Sequence, residues 1–444
     1  MNILDKSTIR ECTSCQLCAT MCAHDAIKIV LNDDGFYRPV VDGKKCTDCG
    51  LCTKICYKFD EDVKITTSEQ LAKTQLYSAW SNDDELVRNT TSGGIGDLLA
   101  HELLSQGYKV VGCVYNDEKV RAEHRIATME EELIPFRGSK YIQSYNFDAF
   151  KEVVKNCKKE KYAVFGTPCQ IYALNKMATQ RKVRDQFFFV DLYCHGCPSL
   201  HAWTKYQSAI KKSIGVNRFD SVTFRSKIRG WGGFYVVVVV VDGKPVFVSK
   251  KANDQFYELF FSNQVLNEAC ADCSLRGTLE YTDIRLGDFW GHKFLDNQRG
   301  VSAISLATDK GKEVFERLHQ VSCAQCSYDE FLPYQSWNLT YKLDLENRKA
   351  VLASLANPDE NINNAIAVLR QHQGFATKVK RYIKTVLAMF PLGLTNSVKK
   401  NSLQDSINVC DENRYFVHAA CKELWFVPSS VCIKDYVGVL WTPV

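Results

Sequence analysis

Between residues 92 and 215 the apolar positions switch repeatedly between helical and strand spacing. Ile95, Leu98, Leu99 and Leu103 share one helical face, opened by Thr91-Ser92-Gly93-Gly94 and stopped at Gly107, ahead of a strand over 109–115. A strand at 162–165 turns through Gly166-Thr167-Pro168-Cys169 into a helix beginning about Gln170. Another, at 186–193, turns through Cys194-His195-Gly196-Cys197-Pro198-Ser199 into a helix carrying Trp203 and Tyr206. Strands that feed helices through Gly/Pro turns predict α/β layering. From about Val216 strands become denser, at 221–225, 283–286 and 302–307, with a helix near 255–266, and a mixed sheet is expected there. The longest apolar run, 235–241, is β-branched and far shorter than the roughly 18 residues of a membrane span. With Asp242-Gly243-Lys244 and 245–248 behind it, it reads as a hairpin.

The first 56 residues follow a different rule. Cys12, Cys15, Cys18 and Cys22 repeat as Cys46, Cys49, Cys52 and Cys56, the same spacing displaced by 34 residues. This is the ligand run of a two-cluster bacterial ferredoxin, in which three thiolates wrap one cubane and the fourth reaches the other. Cys12, Cys15, Cys18 and Cys56 are therefore expected to hold one [4Fe-4S] cluster, and Cys46, Cys49, Cys52 and Cys22 a second. Zinc sites usually pair two Cys-x-x-Cys units across a longer loop, and a disulfide scaffold has no need of a third cysteine in each run. Ala23 and Tyr57 stand where proline usually follows the last cysteine, which changes the turn without removing a ligand.

Residues 57–74 are charged and irregular and read as a linker. Beyond Gln371 comes a basic amphipathic stretch with Lys378, Lys380, Arg381 and Lys384, ended by Pro391. It reads as a solvated face on a terminal helix, with a membrane-surface anchor as the alternative. Cys410, Cys421, Cys432 and the closing 438–444 carry no ligand spacing.

Composition narrows the class. The 444 residues are 45% hydrophobic, enough for two or three packed domains. A net charge of +5 from 56 basic and 51 acidic residues is too balanced to argue for nucleic acid. The polar start and the lack of a long apolar run predict no signal peptide and no transmembrane segment. With 20 cysteines, many at metal-ligand spacing, the expected setting is a reducing cytoplasm.

Six segments, in order, carry a resemblance: the cysteine head, Ser92-Gly93-Gly94, Phe136-Arg137-Gly138-Ser139-Lys140-Tyr141-Ile142-Gln143-Ser144, Gly166-Thr167-Pro168-Cys169-Gln170, Cys194-His195-Gly196 with Pro198-Ser199, and Gly287-Asp288-Phe289-Trp290-Gly291. Together they resemble the coenzyme F420 hydrogenase/dehydrogenase beta-subunit family over roughly residues 1–320. The resemblance implies an iron-sulfur flavoprotein oxidoreductase carrying FAD. A ferredoxin-like donor or acceptor would serve it, and an organic substrate or the deazaflavin would complete the reaction. Because members include subunits of larger assemblies, a non-catalytic electron-relay subunit of a redox complex is the alternative.

Under that resemblance the fold is α/β: an α+β ferredoxin-like head over 1–62, a mixed-sheet flavoprotein domain over 75–330, and a helical C-terminal extension over 331–444. Ser92, Gly93 and Gly94 open a helix whose N–H groups suit a pyrophosphate, against a plain helix cap, the reading these residues alone favour. Lys140 is a candidate to stabilise an anionic reduced flavin and Tyr141 to pack on its ring, against a solvated lysine. Cys169, Cys194, Cys270 and Cys273 are candidates for a third [4Fe-4S] cluster, with Cys197 as an alternative to Cys194. Buried free thiols, or a nucleophilic Cys169 at a helix start serving a thiol-dependent transferase, compete with that reading. His195 is a candidate proton relay or a brace for its turn. Cys113 and Cys157 read as core or surface thiols, and Cys323-x-x-Cys326 as incidental.

Overall fold

The computed structural model describes residues 1–231, 237–250, 252–290, 292–294, 296–374, 377–379, 381–382 and 385. Tyr235 and Val236 of the valine run, Gly291, Lys380, Lys384, Pro391, Cys410, Cys421, Cys432 and 438–444 lie outside these residues. Met1–His372 form one compact unit, and a second begins at Gln373.

The strands, in chain order, are β1 (Ile27–Leu31), β2 (Tyr37–Val41), β3 (Gln75–Ser81), β4 (Lys109–Asn116), β5 (Arg121–Ala127), β6 (Ser144–Tyr145), β7 (Tyr162–Phe165), β8 (Phe187–Leu192), β9 (Ser221–Thr223), β10 (Val238–Val241), β11 (Lys244–Val248), β12 (Ile284–Asp288), β13 (Ser302–Leu306) and β14 (Val321–Gln325). Nine of them form one mixed sheet in the order β14-β3-β13-β12-β8-β7-β4-β5-β6. Its centre, β12-β8-β7-β4, is parallel, and antiparallel strands flank it.

Strand alternation builds the layers. Val111, Tyr162, Val164, Phe187 and Phe189 face one side, where the helices Phe147–Asn156 and Pro168–Gln180 pack. Val110, Ala163, Phe188 and Val190 face the other, against the helix Ile95–Ser105. Successive strand residues point to opposite faces, so a sheet covered on both sides reads as a continuous apolar run. Phe187, Phe188 and Phe189 are wholly buried, each contributing roughly 2 kcal/mol of transfer free energy. The fold is α/β, as the pattern of strands and helices predicts.

One local expectation changes and two gain detail. The strands after Val216 do not make one mixed sheet: β9, β10 and β11 form a separate antiparallel sheet, while β12 and β13 join the large one. The turn of its hairpin has left-handed Asp242 and Gly243, φ +49° and +68°, which match the twist of the flanking strands. Within residues 57–74, read as an irregular linker, Ser68–Lys73 form a helix, and Asp60 takes an ion pair from Lys176 at 2.7 Å and a hydrogen bond from the Tyr172 hydroxyl. The helices Leu345–Ala356 and Ile362–Gln371, expected in a C-terminal extension, pack within the first unit through Val351, Leu352, Leu355, Ile362 and Leu369.

The cysteine head is seated on the sheet. Its Leu17, Met21, Ile55 and Tyr57 share an apolar core with Ile171, Tyr172 and Leu174. Gln16, 3% exposed, donates to the Ser144 carbonyl at 3.0 Å and accepts from the Asn146 and Phe147 N–H groups at 3.0 and 3.1 Å. Gln143 ties the Gly35 and Pro198 carbonyls at 2.8 and 3.0 Å.

Candidate functional site

The two cysteine runs repeat in backbone shape as well as in spacing. Ser14 and Gln16 have φ +63°, and 34 residues later Asp48 and Gly50 have φ +50° and +75°. Each pair bends the chain into a four-residue helix, Leu17–Thr20 or Leu51–Lys54, that carries the third cysteine of its run. Left-handed conformations at non-glycine residues persist only where the surroundings fix them.

Cys12, Cys15, Cys18 and Cys56 line one cavity, walled by Ile3, Ile29, Tyr37, Pro39 and Ile55. Burial pushes the Cys15 and Cys56 thiols up to about 12, and neighbouring thiolates push in the same direction: Cys56 and Cys12 on Cys15, Cys12 and Cys52 on Cys56. Cys52 has Cys49 and Cys46 as electrostatic neighbours and packs in the small core that Cys22 joins. Cys49 is exposed, so the second set lies at the outer edge of the head. All seventeen described cysteines are free. Gathering desolvated thiols without disulfides is unfavourable as thiolates unless a positive centre sits among them. Among the described residues no three His, Cys, Asp or Glu side chains stand at single-ion spacing. The thiolates of a cubane bind different irons and stand further apart than the ligands of one zinc ion.

A second thiol group lies inward. Every pair among Cys169, Cys194, Cys270 and Cys273 is close enough for one thiolate to raise another's pKa, after the larger effect of burial. Cys197 adjoins Cys270, Cys194 and Cys169 as a fifth. Cys169 sits at the start of the helix Pro168–Gln180, 3.2 Å from the Thr167 hydroxyl. Burial holds its pKa well above the ordinary value, the opposite direction to the lowering that an activated thiolate needs.

Buried arginines hold the inner loops. Arg276, 2% exposed, donates to the carbonyls of Cys194, His195 and Cys270 at 3.0, 2.6 and 2.6 Å, and to that of Leu339 at 2.6 Å. Arg285 on β12 pairs bidentately with Asp191 on β8 at 2.8 and 2.6 Å and also bonds the Arg276 and Leu275 carbonyls. The sheet is thereby fastened to the loop bearing Cys270 and Cys273. Gly196 permits the two cysteine loops to approach, since a Cβ there would stand 2.8 Å from Leu266.

Ser92, Gly93 and Gly94 are engaged in ways their sequence did not suggest. Ser92 Oγ donates to the Val301 carbonyl at 2.6 Å and Gly93 N–H to Ser302 Oγ at 3.0 Å. A Cβ on Gly93 would fall 2.4 Å from the Ala79 carbonyl oxygen, so glycine is required by the strand behind it. Gly94, φ +85°, caps the helix Ile95–Ser105 without a side-chain partner. The N–H groups of Gly94, Ile95 and Gly96 make no hydrogen bond among the described residues, and they suit an anionic phosphate at this positive end. The 137–140 loop adjoins them through an Arg137–Asp97 ion pair at 2.8 Å and a Ser139 N–H to Thr91 Oγ1 bond at 2.8 Å.

Lys140 turns away from a ligand role. Its ammonium spends its three protons on the carbonyls of Pro135, Phe136 and Arg137 at 2.9, 3.1 and 3.0 Å, and burial lowers it to about 8. Tyr141 packs edge-on against Tyr257 and Phe260. The sequence did not single out Trp231, stacked on Trp290 at 5.9 Å and 5°, or Lys227, which donates to the Ser92 carbonyl.

His195 is braced at both nitrogens, Nε2 to Asn263 Oδ1 at 2.9 Å and Nδ1 to the Tyr341 hydroxyl at 2.9 Å. Burial lowers its pKa to about 4, and its two hydrogen bonds brace the Cys194 turn. Cys157 is buried in the core and Cys113 lies on β4; Cys326 is buried while Cys323 is exposed.

Fold and site together define a mixed-sheet α/β protein with a cysteine-bearing head seated on a second thiol group. The chain belongs to the coenzyme F420 hydrogenase/dehydrogenase beta-subunit family: residues 76–151 match its N-terminal part and 159–327 its C-terminal part, together more than half of the chain. It is similar to the coenzyme F420 hydrogenase subunit beta of Methanococcus voltae, 24% identical over 278 residues, covering 61% of this chain and 90% of the relative. The subunit of the same name from Methanosarcina barkeri is 28% identical over 102 residues, 22% of this chain and 35% of that one. A chain from the F420-reducing [NiFe] hydrogenase complex of Methanosarcina barkeri aligns at 18% identity and a TM-score of 0.43, covering 71% of this chain and 96% of that chain. Among the described residues no helix is long and apolar enough to cross a membrane.

Proposed function

We propose that this chain is an iron-sulfur flavoprotein oxidoreductase that exchanges electrons with a ferredoxin-like partner and acts on a small organic substrate or the deazaflavin coenzyme. In this reading Cys12, Cys15, Cys18 and Cys56 hold one [4Fe-4S] cluster, Cys46, Cys49, Cys52 and Cys22 a second, and Cys169, Cys194, Cys270 and Cys273 a third. The helix start at Gly94, Ile95 and Gly96 binds the pyrophosphate of FAD. When bound, the clusters supply one-electron transfer and the flavin converts it to two-electron chemistry.

The single observation that carries the reading is the cavity lined by Cys12, Cys15, Cys18 and Cys56, with the crossed fourth cysteine drawn from the other run. The chain's own residues do the rest. Ile29, Pro39 and Ile55 give the first set an apolar wall, Arg276 fixes the loops of the inner set, and His195 holds the Cys194 turn. Gln16 and Asn146 keep the head on the sheet.

The test is anaerobic purification with iron, sulfide and flavin counted per chain. Three cubanes with one FAD are expected; a colourless chain overturns the reading. A second reading, an electron-relay subunit without a substrate pocket of its own, is favoured by the relatives' names, which are those of hydrogenase subunits. Turnover by the isolated chain would reject it.

A further inference from the structure

Asn267 has no catalytic residue type and sits in no shared motif, yet it touches both thiol groups. It is 0% exposed. Its main-chain N–H donates to the Cys197 carbonyl at 2.7 Å, and its own carbonyl accepts from the Cys270 N–H at 2.8 Å. Its side-chain Nδ2 donates to the Cys12 carbonyl and to Ser14 Oγ, both at 3.1 Å. Oδ1 accepts from Arg38 at 3.2 Å and from the Ala269 N–H at 3.4 Å, and Arg38 closes the ring by donating to Ser14 Oγ at 2.6 Å.

We propose that Asn267 is the positioning residue that fixes and electronically couples the first head centre to the inner cysteine site, an inference that rests on the cluster reading above. From the main chain of Cys12 to that of Cys270 the route runs through one residue and two hydrogen bonds. Electron transfer decays steeply with distance, and less steeply along bonded atoms than across a gap between packed surfaces. The residue type follows from the two jobs of its side chain. Aspartate would keep the Arg38 contact but has no proton for the Cys12 carbonyl, and serine is too short to reach it. Docking alone does not need this residue, because Gln16, Gln143 and Asp60 already tie the head to the sheet elsewhere.

The experiment uses the full chain, loaded anaerobically, as wild type, Asn267→Ala and Asn267→Asp. Reduced ferredoxin is mixed rapidly with each, and freeze-quench electron paramagnetic resonance follows the head and inner centres separately. Both variants should keep wild-type iron and head-reduction rates, while the inner centre is reduced several-fold more slowly because the hydrogen-bonded route from Cys12 is broken. The magnetic coupling between the two centres should weaken in parallel. Wild-type inner reduction in Asn267→Ala, rescue by Asn267→Asp, or loss of inner iron in both variants each overturns the proposal. If the wild type itself carries iron for only the two head centres, the cluster reading has failed and takes the proposal with it, a result visible before any variant is made.

Discussion

Cys15 of the head and Cys169 of the sheet domain pack against the same apolar core, close enough that a thiolate on Cys15 raises the pKa of Cys169. Cys52 in turn raises Cys18 and Cys56, so neighbouring thiols link an outer group with exposed Cys49, a middle one around Cys15 and an inner one around Cys169. Under the proposed reading electrons enter or leave at the outer end.

Cys49→Ala should remove one head cluster's iron and most electron exchange with ferredoxin, and leave flavin bound. Metal analysis with a ferredoxin-linked reduction assay checks this. Unchanged iron would mean that Cys49 is no ligand.

Cys273→Ala should lower iron by the inner cluster alone and keep the head's spectroscopic signature. The comparison is made against Cys49→Ala under identical loading, and equal losses at the same centre would contradict two separate sites.

Removing the buried arginine clamp carries a stability cost. Arg276→Ala leaves the carbonyls of Cys194, His195, Cys270 and Leu339 without their donor, a loss on the order of 3 kcal/mol. Asp191→Asn strands the Arg285 guanidinium inside the sheet, which costs about 3–5 kcal/mol. Urea midpoints of the loaded protein measure both.

His124 gives stability a pH dependence. It is buried, with Nε2 3.2 Å from the Phe165 carbonyl, and burial lowers its pKa from 6.5 to about 4. Between those values the unfolded chain binds a proton that the folded chain refuses. Stability contributed by this group is therefore present above pH 6.5 and falls as pH drops toward 4, by about 1.4 kcal/mol per pH unit. His124→Phe should flatten that slope in urea titrations across this window.

The repeated cysteines, the strand-to-helix turns at Gly166 and Cys194, and the valine hairpin were legible because each has a fixed period or a turn residue. Strand β3 was not, since Gln75–Ser81 mixes polar residues that become buried only when β13 and β14 flank it. The same limit hid Asn267, Arg276 and Gln16. Their partners lie 255, 82 and 128 residues away in the chain, and nothing local marks a polar residue that will be buried by distant segments. Lys140 misled in the opposite direction: a lysine in a shared motif suggested a ligand contact, whereas its ammonium closes the 310 turn Glu130–Phe136 just before it.

The measurement that bears most directly on the central claim is the electron paramagnetic resonance spectrum of the fully reduced protein, purified anaerobically, with iron and flavin counted on the same sample. Three magnetically interacting [4Fe-4S] centres and one flavin per chain are expected. Iron for two head clusters only, with no inner signal and no flavin, would contradict it.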